Sequence, residues 1–306
     1  MWISFVAQGD TVSHEHVKRY IASEGGGSPL GLTSDMNDPA HPPIPPVSKR
    51  DAPAFSDLQH RATSASAFTQ GSTTYHDVRP GYPAEAVELA RGFGRVLDVG
   101  AGTGKLTSEL TADQVLALDP SMDMLRVFRS ALPAVPCWQA TAEHTGIRDN
   151  AVDLITCAQT WHWVDVTAAS AEFDRVIAPE GAVLLVWNNL DTSIAWVHRL
   201  SRIMHAGDVL KPGFTPETAA PWIIDREIRT TWNQHLTPEE IIQLAHTRSY
   251  WLNASEKIKE RVDQNLQWYL YEHLGFSPDN PVELPYRCDA FLLSRSGTLA
   301  GRSSNL

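Results

Sequence analysis

Five short apolar segments between residues 95 and 187 alternate with helix-like segments, and this alternation constrains the fold more than any other feature. Each segment is rich in Val, Leu, Ile and Ala, which is typical of strands buried on both faces. The predicted strands are Arg95–Val99, Gln114–Leu118, Val135–Ala140, Val152–Ala158 and Gly181–Trp187. Strands separated by helices predict an α/β fold, a doubly wound parallel sheet covered on both faces.

The remaining segments extend this pattern in both directions. Helices are predicted over Tyr82–Ala90 and Lys105–Thr111, and a third begins at the N-cap Ser121. A fourth follows the strand Val152–Ala158 and ends at about Ala178. The last two run over Ile194–His205 and Pro238–Leu274, the latter broken near Trp251–Asn253. Two strand-like runs, Glu227–His235 and Val282–Leu293, are expected to add the last two strands at the edge of a seven-stranded sheet. The helices of the C-terminal third are expected to form an insertion or lid, about residues 190–280.

The first 66 residues differ from the rest of the chain. Seven of the twenty prolines fall at or before Pro53, and three glycines follow one another at Gly25–Gly27. Because proline lacks an amide donor and glycine loses the most entropy on ordering, we predict a disordered extension over residues 1–66. The alternative interpretation is an over-long gene model, with translation starting at Met36. A single domain is predicted over residues 67–295, followed by a tail, 296–306.

Composition narrows the classes of partner. The net charge is −11, which disfavours phosphate backbones, so no nucleic-acid partner is expected. The chain shows no secretory signal and no apolar run of about 18 residues, so we expect a cytoplasmic protein without a membrane partner. The cysteines Cys137, Cys157 and Cys288 are expected to be reduced thiols, and no Asp, Glu or His cluster shows ligand spacing, so no metal is expected.

A glycine-rich turn follows the first predicted strand, at the edge of the sheet where open parallel sheets bind ligands. It consists of Gly100, Ala101, Gly102, Thr103 and Gly104, preceded by Asp98. A phosphate-binding P-loop would need glycine at Val99 and Ser or Thr at Leu106. The dinucleotide fingerprint would need glycine at Lys105. The remaining pattern, G-x-G-x-G after an acid, suits a ligand without pyrophosphate, and S-adenosylmethionine (SAM) is such a ligand.

A second acid, Asp119, ends the second predicted strand 21 residues after Asp98. A carboxylate at this place can accept hydrogen bonds from both hydroxyls of a ribose. The acid does not distinguish SAM from NAD, whereas the glycine spacing does. A plain structural role, as a helix cap or turn acid, stays open for Asp119.

With these motifs in order, the sequence resembles the class I SAM-dependent methyltransferases of the broad methyltransferase-11 and -25 types. Their first motif resembles Val96–Gly104 and their second resembles Leu118–Leu125. The segment Phe173–Gly181 resembles their usual RvLkPGG turn, with Glu180 in place of one glycine. Residues 75–83 and 159–165 resemble signatures of small-molecule methyltransferases akin to trans-aconitate methyltransferases. The resemblance spans about Phe68–Arg295 and implies the Rossmann-like, seven-stranded fold of that class.

The resemblance also implies which residues hold SAM. It places Asp119 on the ribose, Pro120 and Met122 beside the adenine, and the stretch Thr141, Ala142 and Glu143 near the adenine amino group. Tyr75 and Arg79 would belong to a segment that folds over the pocket. We also assign Ala158 and Gln159, at the end of the fourth strand, to the cofactor site.

Trp161, His162 and Trp163 follow the fourth strand and are the candidates for the acceptor pocket. The two indoles could form a wall that excludes water, or could belong to the core. If the acceptor is a hydroxyl, amine or carbon acid, His162 could remove its proton. If the acceptor is a carboxylate, no base is required and His162 would orient it. A packed histidine that caps the next helix is the third interpretation.

The predicted function is methyl transfer from SAM to a small organic acceptor. The alternatives are an NAD-dependent oxidoreductase, which lacks its glycine spacing here, and a SAM-binding protein without catalysis. A nucleic-acid amino-methyltransferase is disfavoured, because residues 158–161 read Ala-Gln-Thr-Trp and not Asn/Asp-Pro-Pro-aromatic. Neither the acceptor nor the oligomeric state follows from the sequence.

Overall fold

A computed structural model describes residues 77–206 and 210–296, all within one unit that spans Pro46–Leu306. The predicted extension, residues 1–66, and most of the tail lie outside the described residues, so these domain boundaries stay predictions. Tyr75 lies outside them as well.

Seven strands form one sheet in the order β3-β2-β1-β4-β5-β7-β6. The strands are β1 Arg95–Val99, β2 Gln114–Asp119, β3 Cys137–Gln139, β4 Val152–Ala158, β5 Ile177–Leu190, β6 Trp222–Leu236 and β7 Val282–Arg295. Strands β1 to β5 pair in parallel, and β7 pairs antiparallel with both β5 and β6. The predicted Rossmann-like α/β fold, including its last two strands at the edge, is therefore confirmed.

In the described part of the chain, helices lie before β1 and in four of the six connections between strands. They are α1 Ala84–Glu88, α2 Met122–Ala131, α3 Val166–Val176, α4 Ala195–Ile203, α5 Pro238–His246, α6 Ser249–Leu252 and α7 Glu256–Gln267. The hydroxyl of Ser121 accepts the Met124 amide, which confirms Ser121 as the N-cap of α2. The expected break in the long C-terminal helix falls between α6 and α7, and α7 continues as a π-helical segment over Trp268–His273.

One predicted helix is wrong. Residues 105–111 form only a 3-10 turn, Thr107–Glu109. The hydroxyl of Ser108 donates to the carbonyl of Lys105, and that of Thr107 points inward to Asp98. Ser and Thr side chains that bond nearby polar groups in this way compete with α-helix formation, which explains the short turn.

Apolar side chains cover both faces of the sheet. On β1, Leu97 and Val99 pack into one core cluster with Phe173 of α3, whereas Val96 packs into another with Leu89 just after α1. This alternation explains why Val96, Leu97 and Val99 are all apolar. A third cluster joins α4, α5 and α7 to the start of β7, and it forms the core of the C-terminal helical part.

Among the described residues, no helix combines the length and the apolar character needed to cross a bilayer. The thiols of Cys157 and Cys288 are buried and that of Cys137 is partly exposed; all three are free. Burial raises the pKa of both buried thiols, which keeps them protonated and unreactive at neutral pH.

Candidate active site

The turn after β1 depends on a backbone conformation that side chains disfavour. Gly100, Gly102 and Gly104 have φ angles of +70°, +57° and +92°, in the left-handed region that glycine enters without steric cost. The amides of Gly100 and Ala101 both donate to the carbonyl of Leu118, at 2.9 and 3.0 Å. These bonds fix the turn to the carboxyl end of β2.

The three glycines have different surroundings. A Cβ on Gly100 would lie 2.3 Å from the side chain of Thr160, and one on Gly104 would lie 2.7 Å from Leu132. A Cβ on Gly102 would meet no atom within 4 Å. Gly100 and Gly104 thus allow close packing, whereas Gly102 leaves open space above the turn.

Asp119, at the end of β2, joins the turn to the start of α2. Its Oδ2 accepts the amide of Gly102 at 2.9 Å, and its Oδ1 accepts that of Ser121 at 2.7 Å. Burial raises the pKa of this carboxyl. Each carboxylate oxygen has a further lone pair, so Asp119 can hold the turn and still accept hydrogen bonds from a ligand.

Asp98 occupies a different position from Asp119. Its carboxylate is buried behind the turn, where Oδ2 accepts the hydroxyl of Thr107 at 2.6 Å and Oδ1 accepts that of Thr156 at 2.8 Å. Burial raises the pKa of Asp98 to about 6, against the lowering effect of the two hydroxyls. The structure therefore places Asp98 where it supports the turn, and a direct contact with a ligand stays a prediction.

One side chain of the turn lacks a hydrogen-bond partner, and an apolar one next to it is exposed to solvent. The hydroxyl of Thr103 is buried and has no hydrogen-bond partner. Met122, in the first turn of α2, is 37% exposed although it is apolar. Open space at Gly102, a carboxylate at Asp119 and an exposed apolar side chain at Met122 fit a ligand that combines a ribose with an apolar ring.

The other predicted cofactor residues lie around this edge. Pro120 and Thr141 are exposed, Ala142 is buried, and Glu143 is partly exposed. Oε1 of Glu143 accepts the amide of Asp165 at 2.9 Å, which ties this stretch to the segment that follows β4.

The end of β4 contacts the glycine turn directly. The hydroxyl of Thr160 lies 3.1 Å from the carbonyl of Gly100 and 2.9 Å from that of Ala158. Gln159 has a φ of +53° and its side chain donates to the carbonyl of Asn188 on β5. The structure therefore brings Ala158 and Gln159 to the same edge as the glycine turn.

Trp161, His162 and Trp163 form a 3-10 turn, and they differ in how far their side chains are buried. Trp161 is 3% exposed, packs against Phe173 and donates its indole N–H to the carbonyl of Glu217 at 2.8 Å. Trp161 therefore lies in the hydrophobic core, below the carboxyl ends of the strands. His162 and Trp163 are partly exposed, with ring centroids 4.9 Å apart, so these two can line a pocket.

Arg79 contacts the C-terminal helices. Its guanidinium donates to the hydroxyl and the carbonyl of Thr247, both at 2.9 Å, at the C-terminal end of α5. A cation is stabilised there by the helix dipole. The contact fixes the segment before α1 to the C-terminal helices, and the predicted role of Arg79 over the cofactor stays a prediction.

A loop of residues 210–221, here the covering loop, lies against the carboxyl end of β5, and sequence reasoning did not single it out within the predicted lid region. Arg287 donates to the carbonyls of Leu210 and Lys211, and Arg229 donates to that of Phe214. Both arginines bind the fully buried Asp289. The polar pair that ends the otherwise apolar strand β5 was a signal, since the Asn189 side chain accepts the Leu210 amide.

Comparison with known proteins decides the family. A methyltransferase domain model matches residues 97–185, from β1 into β5. An uncharacterised methyltransferase of Mycobacterium bovis is 38% identical over 218 residues, which cover 69% of this chain and 88% of that protein. The chain belongs to the class I SAM-dependent methyltransferases.

Other relatives of this methyltransferase agree. An uncharacterised methyltransferase-like protein of Schizosaccharomyces pombe is 30% identical over 232 residues, covering 71% of this chain and 91% of that protein. The solved structure of the YcgJ protein of Bacillus subtilis aligns over 73% of this chain and all of its own, with 20% identity and a TM-score of 0.43. The family assignment sets aside the NAD-dependent oxidoreductase.

Proposed function

We propose that this methyltransferase binds SAM on the glycine turn and transfers its methyl group to a small organic acceptor with a carboxylate or hydroxyl oxygen. The observation that carries the proposal is the arrangement of Gly102, Asp119 and Met122. An open backbone position, a carboxylate and an exposed apolar side chain meet at the carboxyl ends of β1 and β2.

Each of these residues has a separate role. Asp119 would accept the ribose hydroxyls, and Met122 would cover one face of the adenine. Gly102 would let the ligand approach the backbone closely. Bound SAM supplies a methyl group on a positively charged sulfur, so the protein needs to hold the acceptor in line and exclude water.

The acceptor would lie beside His162 and Trp163, next to the turn. Thr160 links this segment to Gly100, so the side chains that follow it project from the edge that holds the donor. The net charge of −11 disfavours a nucleic acid as acceptor. We expect the C-terminal helices and the covering loop to enclose a pocket suited to a small molecule.

Calorimetric titration with SAM tests the donor site. The Asp119→Asn variant keeps the shape of the side chain and loses its charge. Two charge-assisted bonds of about 1.5 kcal/mol each would be weakened, so affinity should fall about 100-fold. Asp123→Asn is the matched control, since Asp123 is a nearby acid that pairs with Arg126 on the surface of α2. Equal affinity of the Asp119 variant and the wild type would contradict the proposal, provided that circular dichroism shows both folded.

A panel of carboxylic acids, phenols, amines and a short RNA, incubated with radiolabelled SAM, tests the acceptor. Transfer of label to a small carboxylic acid or phenol is expected. Tight SAM binding without transfer to any member of a broad panel would favour a binding protein without catalysis. Transfer to RNA alone would overturn the small-molecule assignment.

A further inference from the structure

The indole of Trp187 on β5 is held in one orientation against His162. Trp187 is 3% exposed, and its ring packs edge-on against Phe214 and Phe291, with centroids 5.2 and 5.9 Å away. Its Nε1 donates a hydrogen bond to Nδ1 of His162, at 3.2 Å. Phe214 belongs to the covering loop and Phe291 to β7, so two separate elements fix the position of the donor.

This contact determines where the imidazole carries its proton. An indole nitrogen can only donate, so Nδ1 of His162 must present a lone pair. In a neutral imidazole the single proton is then on Nε2. The opposite tautomer would place two N–H groups against each other and leave a buried indole without an acceptor.

His162 is close to the donor site by its place in the chain. It follows Thr160 by two residues, and the Thr160 hydroxyl contacts the carbonyl of Gly100 in the glycine turn. The ring is partly exposed at this edge of the sheet. A group on this ring can therefore meet an acceptor held next to the turn.

We propose that Trp187 is a positioning residue that holds His162 in the Nε2–H tautomer, so that His162 acts on the acceptor as a hydrogen-bond donor and not as a base. The role of His162 toward an acceptor rests on the proposed function, whereas its tautomer does not. A base needs a lone pair toward the acceptor. The lone pair of this ring is on Nδ1, which Trp187 occupies. The site is thereby suited to acceptors that are nucleophilic without losing a proton to the protein, such as a carboxylate ionised at neutral pH.

The tautomer can be measured without any substrate. Protein labelled with ¹⁵N-histidine gives distinct NMR signals for protonated and unprotonated ring nitrogens, and a His162→Gln variant identifies the signals of this ring. We expect one Nε2–H tautomer in the wild type and a mixture, or a shift to Nδ1–H, in Trp187→Phe. A wild-type ring protonated on Nδ1, or an unchanged tautomer in Trp187→Phe, would overturn the proposal.

Trp222→Phe is the matched control. Trp222 on β6 is 2% exposed, and its indole donates to the carbonyl of Ser170 at 3.1 Å, away from His162. This variant also loses a buried indole hydrogen bond, yet it should keep the His162 tautomer. Urea denaturation of both variants measures the stability lost in each, which separates loss of packing from loss of the tautomer.

Kinetics with the most active carboxylic acid of the panel test the role of the ring. Glutamine keeps an N–H donor and cannot act as a base, so His162→Gln should be at least tenfold faster than His162→Leu. Trp187→Phe should lower kcat/KM in the wild-type background and have little further effect on His162→Gln, because its action passes through the imidazole. Equal activity of the Gln and Leu variants, or an undiminished effect of Trp187→Phe on His162→Gln, would contradict the proposed role. Unchanged SAM affinity in all variants distinguishes these results from a failure of the donor site.

Discussion

The hydroxyl of Thr156 on β4 donates to the carboxylate of Asp98 on β1, at 2.8 Å and out of contact with solvent. The hydroxyl of Thr107, beyond the glycine turn, donates to the other oxygen at 2.6 Å. One buried acid thus connects two neighbouring strands and the far end of the turn. Two neutral donors do not compensate fully for its removal from water, which is why its pKa rises to about 6.

Replacing Asp98 by Asn should stabilise the free protein at neutral pH and not at acid pH. The folded pKa of about 6 exceeds the ordinary value of 3.8, so ionisation of Asp98 opposes folding. Its favourable contribution is complete below the unfolded value and is lost as the pH rises through 6. A shift of this size corresponds to about 3 kcal/mol, as an upper bound. Urea denaturation of the wild type and Asp98→Asn at pH 4.5 and 7.5 measures the difference.

The control for this experiment is an acid with the opposite shift. Arg95 holds the pKa of Asp153 below its ordinary value, so Asp153→Asn should cost stability at neutral pH and less at acid pH. A stability difference between Asp98→Asn and the wild type that is the same at both pH values would contradict the assignment of Asp98 as a buried acid whose pKa is raised in the folded protein.

Alanine at two positions of the glycine turn should have different consequences. At Gly100, the new Cβ would overlap Thr160 and the backbone would be strained, so we expect a loss of about 3 kcal/mol of stability. At Gly102, only the backbone strain of about 1 kcal/mol applies. The Gly102 methyl group would instead enter the space where SAM is proposed to bind, and affinity should fall more than tenfold. Urea denaturation and calorimetry on both variants check the contrast, and similar SAM affinity in Gly102→Ala and the wild type would contradict it.

The sheet could be predicted from the sequence because its strands are buried on both faces. Such strands are rich in apolar residues, and β4 runs over Val152–Ala158 as predicted. The glycine turn and Asp119 could be located for a related reason. Their spacing is set within one strand-turn-strand unit, so local sequence contains the geometry.

The parts that could not be predicted depend on residues distant in the chain. The indole of Trp161 bonds to Glu217, and that of Trp187 bonds to His162. The sequence around either indole does not indicate its hydrogen-bond acceptor. The burial of Trp161 in the core and the tautomer of His162 therefore follow only from the three-dimensional structure. The helix predicted over residues 105–111 failed through the inward-facing Thr107, a tertiary contact as well.

Breaking the buried ion network around Asp289 on β7 should cost much more stability than breaking an exposed ion pair. Asp289 is fully buried and binds Arg229 at 3.0 Å and Arg287 at 2.8 Å. Asp289→Asn would leave two guanidinium groups without their shared anion, and we expect a loss of about 3 kcal/mol. Glu88→Gln, at an exposed pair with Arg91, should cost less than about 0.5 kcal/mol. Urea midpoints of the two variants test this, and a loss below 1 kcal/mol for Asp289→Asn would show that the network is dispensable.

The hydrogen bonds that hold the covering loop go to its main chain, while the buried side chains of Leu210 and Phe214 add apolar packing. Arg287, Arg229, Trp161 and Asn189 reach carbonyl or amide groups that every residue type except proline possesses in full. These hydrogen bonds are therefore independent of the identity of the exposed loop side chains. Mutations could exchange the exposed side chains, and with them the shape of the proposed acceptor site, while the loop stays docked on the same sheet. A catalyst of this design can acquire new substrates by altering its cover without disturbing the machinery beneath.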